Sequence, residues 1–184
     1  MTWGVGRPVT PDALCAKGEG IFYTDQPLVV VDQAIIDFLK QAALSVPRRR
    51  ARLCAHPDAG ADQHDMLIVS HRDTYVAPHR HLKKSETFLV LEGLADVVLF
   101  DEQGGVTETI AMGPVGSGRP FFYRMPKGQF HSLMIDSELL VFVESTKGPF
   151  VPQETENASW APEPDRASDG RAYLAALATA SQSR

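Results

Sequence analysis

His79-Arg80-His81, Glu86 and the run Pro126-Lys127-Gly128-Gln129-Phe130-His131 bring three imidazoles and one carboxylate to spacings that can converge on one cation. Neutral imidazole nitrogens are the commonest protein ligands for transition metals. On a β-strand, residues two apart face the same side. His79 and His81 therefore project together and Arg80 turns the other way. Glu86 opens an apolar stretch, Thr87-Phe88-Leu89-Val90-Leu91, which stops at Glu92-Gly93, a turn signal. Pro126 and Gly128 suit a chain reversal just ahead of His131, which opens a second apolar stretch. The expectation is one divalent transition metal held by His79, His81, Glu86 and His131. Four such ligands leave about two positions on a six-coordinate ion, which suits Fe, Mn, Co or Ni; Zn prefers four ligands in all.

Other residues could line a pocket beside that ion. Arg50 and Arg52 alternate along one strand in phase with Cys54 and His56. Two readings stand. The strand is a pocket wall that grips a carboxylate, a phosphate or sugar hydroxyls through guanidinium forks, or residues 48–52 are a solvated basic edge. Cys54 itself reads as a small buried apolar residue. Glu144 shares a phase with Leu140 and Phe142 and is the candidate catalytic acid or base if that face points inward; a strand end turned to solvent is the commoner outcome. Tyr75 and Tyr123 are candidate substrate-binding hydroxyls, with core or rim packing as the alternative. His64 and His71 have no placed partners and read as surface or turn residues.

The elements that must position these groups are mostly strands. Asp32 reads as an N-cap, and Ile35, Ile36, Phe38, Leu39 and Ala42 follow a helical period that Pro47 ends. Short β-rich stretches follow at 66–70, 87–91, 95–100, 107–112, 120–124, 131–135 and 139–144, separated by Gly, Pro, Asp and Ser. Such spacing argues for a closed β-barrel or sandwich. Residues 1–26 read as an irregular arm with a short strand at 21–23, residues 151–164 as a Pro-rich tail, and 172–180 as a short Ala-rich helix. The division is thus 1–46, arm and helix packed on the barrel; 47–150, the barrel; and 151–184, the tail and helix.

Composition sets limits. A chain of 184 residues with 43% hydrophobic content can bury one real core. The net charge of −5 argues against a general nucleic-acid binder. No apolar run has the length of a membrane span. The first twenty residues have neither the basic start nor the apolar stretch of a secretory signal. Two cysteines make no disulfide framework, which fits a reducing cytoplasm.

The spacing His79-x-His81, Glu86, Gly93 resembles the first motif of the cupins, and Pro126-x-Gly128-x-x-His131 resembles the second. The resemblance implies an all-β jelly-roll barrel with those four residues as metal ligands. More of the chain resembles the WbuC-type cupin-fold metalloproteins: Pro47 to Arg52 with His56, Pro78 to His81, Gly148-Pro149-Phe150 and Trp160 to Glu163. In that subgroup an asparagine usually stands where Cys54 stands here. The resemblance implies a homodimer and a hint of surface-polysaccharide metabolism. The expected function is metal-dependent chemistry on a small sugar or sugar-acid-like ligand, of isomerase or epimerase type. The alternatives are an Fe(II) dioxygenase and a non-catalytic metal-dependent sensor of small molecules.

Overall fold

The computed structural model describes residues 6–181; Met1 to Val5, the start of the expected arm, and the last three residues lie outside the described residues. The strands are β1 (Leu14–Gly18), β2 (Ile21–Thr24), β3 (Arg50–Cys54), β4 (Gln63–His71), β5 (His79–His81), β6 (Glu86–Glu92), β7 (Ala95–Phe100), β8 (Val106–Met112), β9 (Phe122–Met125), β10 (Phe130–Ile135), β11 (Leu139–Lys147) and β12 (Thr155–Asn157), and the helices are α1 (Gln33–Ser45) and α2 (Ala167–Ser181). One sheet has the order β1-β2-β3-β4-β11-β6-β9 and the other β12-β5-β10-β7-β8. Within them, β4-β11-β6-β9 opposes β5-β10-β7-β8, so the chain repeatedly crosses between sheets in the jelly-roll manner. The all-β architecture with two short helices matches the sequence expectation.

Helix α1 decides which way the larger sheet faces. Asp32 caps it, its carboxylate accepting from the Ala34 N–H at 3.0 Å. Ile35, Leu39 and Ala43 recur every four residues, fully buried against Ala51 and Leu53 of β3, Leu67 and Val69 of β4 and Val141 of β11. Because strands alternate, fixing those residues under the helix turns their neighbours inward: Arg50, Arg52 and Cys54 on β3, Met66 and Ile68 on β4, Phe142 and Glu144 on β11. One part of the space between the sheets is dry, filled by Ile68, Phe88, Val90, Val97, Met112 and Leu140. Another part is left to polar side chains.

The structure also departs from the sequence expectations. The arm holds a hairpin, not one short strand: β1 pairs with β2, and β2 runs parallel to β3 with Ile21 opposite Arg52 and Tyr23 opposite Cys54. β3 is therefore covered on both sides and is not a solvated edge. Strand β1 escapes local pattern reading because three of its five residues are exposed. The Pro-rich tail contains β12, which adds to β5. Trp160 then lies against Phe100 and Phe130, and α2 begins at Ala167, five residues ahead of the expected start. No helix among the described residues is long and apolar enough to cross a membrane.

Leu39→Ala should destabilise the protein by about 2–5 kcal/mol, read as a lowered urea midpoint. Leu39 packs on the face of the sheet away from the polar interior, so metal content should stay unchanged.

Candidate metal centre

Strand β5 carries His79 and His81, and β10 sets His131 directly opposite His79. Gly93 ends β6 at φ 86°, a left-handed conformation that glycine adopts without strain, and Gly128 shapes the turn before β10 at φ 83°. The Gly128 N–H donates to the His81 carbonyl at 2.8 Å, which fastens the second turn to the first pair of histidines. The three imidazoles offer ligand atoms that all lie within 4.8 Å of one another.

Glu86 reaches this group from the opposite sheet. Its carboxylate lies 3.1 Å from His81 Nε2 and 3.2 Å from His131 Nε2. It also accepts a hydrogen bond from the Tyr123 hydroxyl at 3.1 Å. Only 5% of Glu86 is exposed. Burial opposes its charge, but the hydrogen bonds and charges of His131 and His81 outweigh that and hold its carboxyl well below the ordinary 4.5.

The ring orientations are fixed from behind. His79 Nδ1 lies 2.8 Å from the Ala77 carbonyl, and His131 Nδ1 lies 2.9 Å from the Gln129 carbonyl. A carbonyl only accepts, so each Nδ1 carries a hydrogen; on His79 the Nε2 keeps its lone pair, and on His131 the Nε2 facing Glu86 is where a second proton sits. Burial, then the nearby His131, pushes His79 down to about 3, so the ring is neutral at any physiological pH and its Nε2 is free to coordinate. At His131 burial favours the neutral ring, yet Glu86 outweighs it and raises the pKa above the ordinary 6.5. His81 Nδ1 meets Thr155 Oγ1 of β12 at 3.2 Å. The donor set fits a divalent transition ion: imidazole nitrogens beside an ionised carboxylate, with a hydrogen-bond partner behind each ring.

The histidines and Glu86 line a cavity of about 260 Å³ together with Arg50, Arg52, Cys54, His56, Tyr123 and Glu144. The volume is slightly below the ordinary range for drug-sized ligands, so it suits a small molecule. Glu144 faces inward, its pKa raised by burial and then by Glu86, against the pull of Arg50. Burial, then Glu86 and Glu144, holds Tyr123 well above 10, so it remains a hydrogen donor. Burial lowers Arg50 and raises the Cys54 thiol.

Three sequence expectations need correcting. Tyr75 does not line the cavity; its hydroxyl donates to the Pro162 carbonyl at 2.7 Å and its ring packs beneath α2 with Leu174. Burial raises its pKa to about 12. His64 is not a surface residue: it is 5% exposed, stacked on His56 at 3.9 Å, and lines the cavity. His71 is also buried, held between Arg49 and Asp73. Phase with Met66 and Ile68 would have placed His64 inside had β4 been extended back to Gln63. Thr155 has no local signal; only the pairing of β12 with β5 reveals it.

Residues 31–112 match a family described as a domain of unknown function (DUF6016). That stretch holds α1 through β8, with Glu86 and all the histidines except His131. No curated protein matches the chain significantly. Among solved structures, the chain is similar to the protein SO0799 from Shewanella oneidensis, with 16% identity and a TM-score of 0.44 over 56% of this chain and 66% of that one. It is similar to oxalate decarboxylase from Bacillus subtilis, with 18% identity and a TM-score of 0.45 over 59% of this chain and 27% of that one. It is also similar to a candidate sugar phosphate isomerase from Acidithiobacillus ferrooxidans, with 19% identity and a TM-score of 0.39 over 48% of this chain and 51% of that one. The matches thus span less than two thirds of each of those chains.

The His131–Glu86 pair has a defined pH window in metal-free protein. The Glu86 contribution to stability is present above 4.5 and is lost as pH falls through its lower folded value. The His131 contribution is present below 6.5 and is lost as pH rises through its higher folded value. A metal ion must displace the His131 proton. Calorimetry of Zn(II) binding at pH 6.5 in two buffers of different ionisation enthalpy should therefore show net proton release. Glu86→Gln should release less, because His131 loses the carboxylate that raises its pKa.

Proposed function

We propose that the protein is a cupin-type, metal-dependent enzyme that moves a proton on a small sugar or sugar-acid ligand, as an isomerase or epimerase does. His79, His81, His131 and Glu86 would hold the metal. The observation that carries the reading is Glu144. It is a second carboxyl in the same cavity, on the strand next to that of Glu86, with a pKa raised by burial and by Glu86. Isomerisation needs one group that takes a proton from carbon and returns it, and a carboxyl lifted toward neutrality by burial is suited to that task.

A bound divalent ion would act as a Lewis acid toward a carbonyl or hydroxyl pair of the ligand. The protein's own groups do the rest. Tyr123 donates to Glu86 and keeps that carboxylate oriented. Arg50 stands near enough to Glu144 to bias it toward the ionised, basic form. Phe88 and Phe142, stacked at 4.5 Å, give the cavity an apolar wall that limits water around the transferred proton. The WbuC-type resemblance supports a carbohydrate ligand, and the free thiols Cys15 and Cys54 agree with a cytoplasmic setting.

Replacing His79 and His81 together by Ala should abolish metal content on elemental analysis and leave the far-ultraviolet dichroism intact, because the fold rests on apolar burial. Metal stoichiometry that survives the double change would refute the ligand assignment. In the metal-loaded protein, solvent deuterium should enter a sugar or sugar-acid substrate without oxygen uptake. Glu144→Gln should slow that exchange by about 10²–10⁴-fold at unchanged metal content. Oxygen consumption by the iron form would point to a dioxygenase instead.

A further inference from the structure

The wall of β3 and β4 carries more polar groups than proton transfer beside the metal needs. Arg50 and Arg52 both line the cavity, and the Nε of each is buried with no hydrogen-bond partner. A buried donor without an acceptor is costly, and two on one strand face call for a reason. The cavity lining holds three cationic side chains, Arg50, Arg52 and Lys84, against two carboxylates, Glu86 and Glu144. A divalent ion would enlarge that positive surplus.

His56 and His64 stand on the same wall, 6% and 5% exposed, with rings stacked at 3.9 Å and nearly parallel at 12°. His56 Nδ1 donates to the Asp65 carbonyl at 3.2 Å, which leaves its Nε2 as an acceptor. Gly148 lies against the His64 ring so closely that an added Cβ would sit 2.8 Å from it. Sheet register places this wall relative to the metal ligands. His64 pairs with Thr146 and Thr146 with Glu86, so the row from His64 to Glu86 crosses two strand spacings, roughly 10 Å.

We propose that Arg50, Arg52 and His56 form a second recognition subsite, which takes the oxyanion end of a polyhydroxylated ligand whose other end reaches the metal ligands. The inference deepens the proposed function and rests on it for the far end of the ligand; the subsite itself needs no metal. The guanidinium forks offer N–H donors to carboxylate or phosphate oxygens, and His56 Nε2 accepts from a neighbouring ligand hydroxyl. The ligand class is then an acidic or phosphorylated sugar of several carbons. A neutral sugar leaves the guanidiniums unsatisfied, and a two-carbon acid does not span the two ends.

The test titrates inorganic phosphate and acetate into the full chain, followed by calorimetry and by thermal shift. At least one anion should bind saturably, and which one does distinguishes a phosphate from a carboxylate end. Binding should persist within a factor of about two in the metal-free H79A/H81A double variant. Arg52→Gln should weaken it by about tenfold or more. Arg52→Lys, which keeps the charge and loses the fork, should weaken it severalfold and provides the measurement should glutamine at 52 disturb the fold. Absence of saturable binding of either anion, or unchanged binding in both Arg52 variants, overturns the subsite. Binding that vanishes in the folded metal-free double variant also overturns it, because the anion then sits on the metal, and it leaves the proposed function standing. Anion binding retained in a protein that holds no metal leaves the subsite standing while the metal reading falls.

Discussion

The buried carboxylate of Glu86 joins the two sheets. It belongs to β6 in the larger sheet, while His81 and His131, its partners at 3.1 and 3.2 Å, belong to β5 and β10 in the smaller one. An isolated ionised carboxylate so deep inside would cost several kcal/mol, so the opposite wall must present cationic or hydrogen-donating groups. A proton at His131 meets that need, and a metal ion would meet it better. The site therefore also acts as a polar strut at the place where the dry core of Phe88, Val97 and Leu140 gives way to the cavity.

The same alternation that builds the core delivers the cavity residues. Every apolar residue that α1 pins on the outer face of β3, β4 and β11 forces a neighbour inward. On β3 those neighbours are two arginines. A protein built for stability alone would place apolar residues there, because breaking or omitting a buried charge's partner is costlier than filling the space with hydrocarbon. Arg50 and Arg52 kept inside with Nε unsatisfied are a local conflict of the kind expected at a binding site.

The convergence of His79, His81, Glu86 and His131 was legible in the sequence because each signal was local: the period of two at His79 and His81, the apolar run after Glu86, and the turns at Gly93 and Gly128. The inward phase of Arg50 and Arg52 with Cys54 and His56 was legible for the same reason, but its meaning was not, since nothing near residue 50 says that β2 will cover the edge of β3. His64 was misplaced because Gln63-His64-Asp65 is polar and hides the start of β4, and burial there comes from His56 and Gly148, which arrive from elsewhere in the chain. Tyr75 was misplaced for the converse reason. It sits in an extended stretch with no regular period, and its partners Pro162 and Leu174 lie about ninety residues away.

Strand β5 shows how much of the candidate site depends on such distant contacts. β5 has three residues and cannot hold its own geometry by backbone pairing alone. Its middle residue does what the histidines cannot. Arg80 points away from the ligands and binds Glu156 of β12 through Nε and a terminal nitrogen at 2.9 and 3.0 Å. It also donates to Glu102 at 2.7 Å and lies over the Phe130 ring at 4.2 Å. One guanidinium thus ties β5 to the tail strand, to the turn after β7 and to the residue before His131. Since Thr155, beside Glu156, meets the His81 ring, the tail holds both the back of the strand and one imidazole in place. The charged residue between the two histidines is therefore part of what holds them in position, although it faces the opposite side of the sheet.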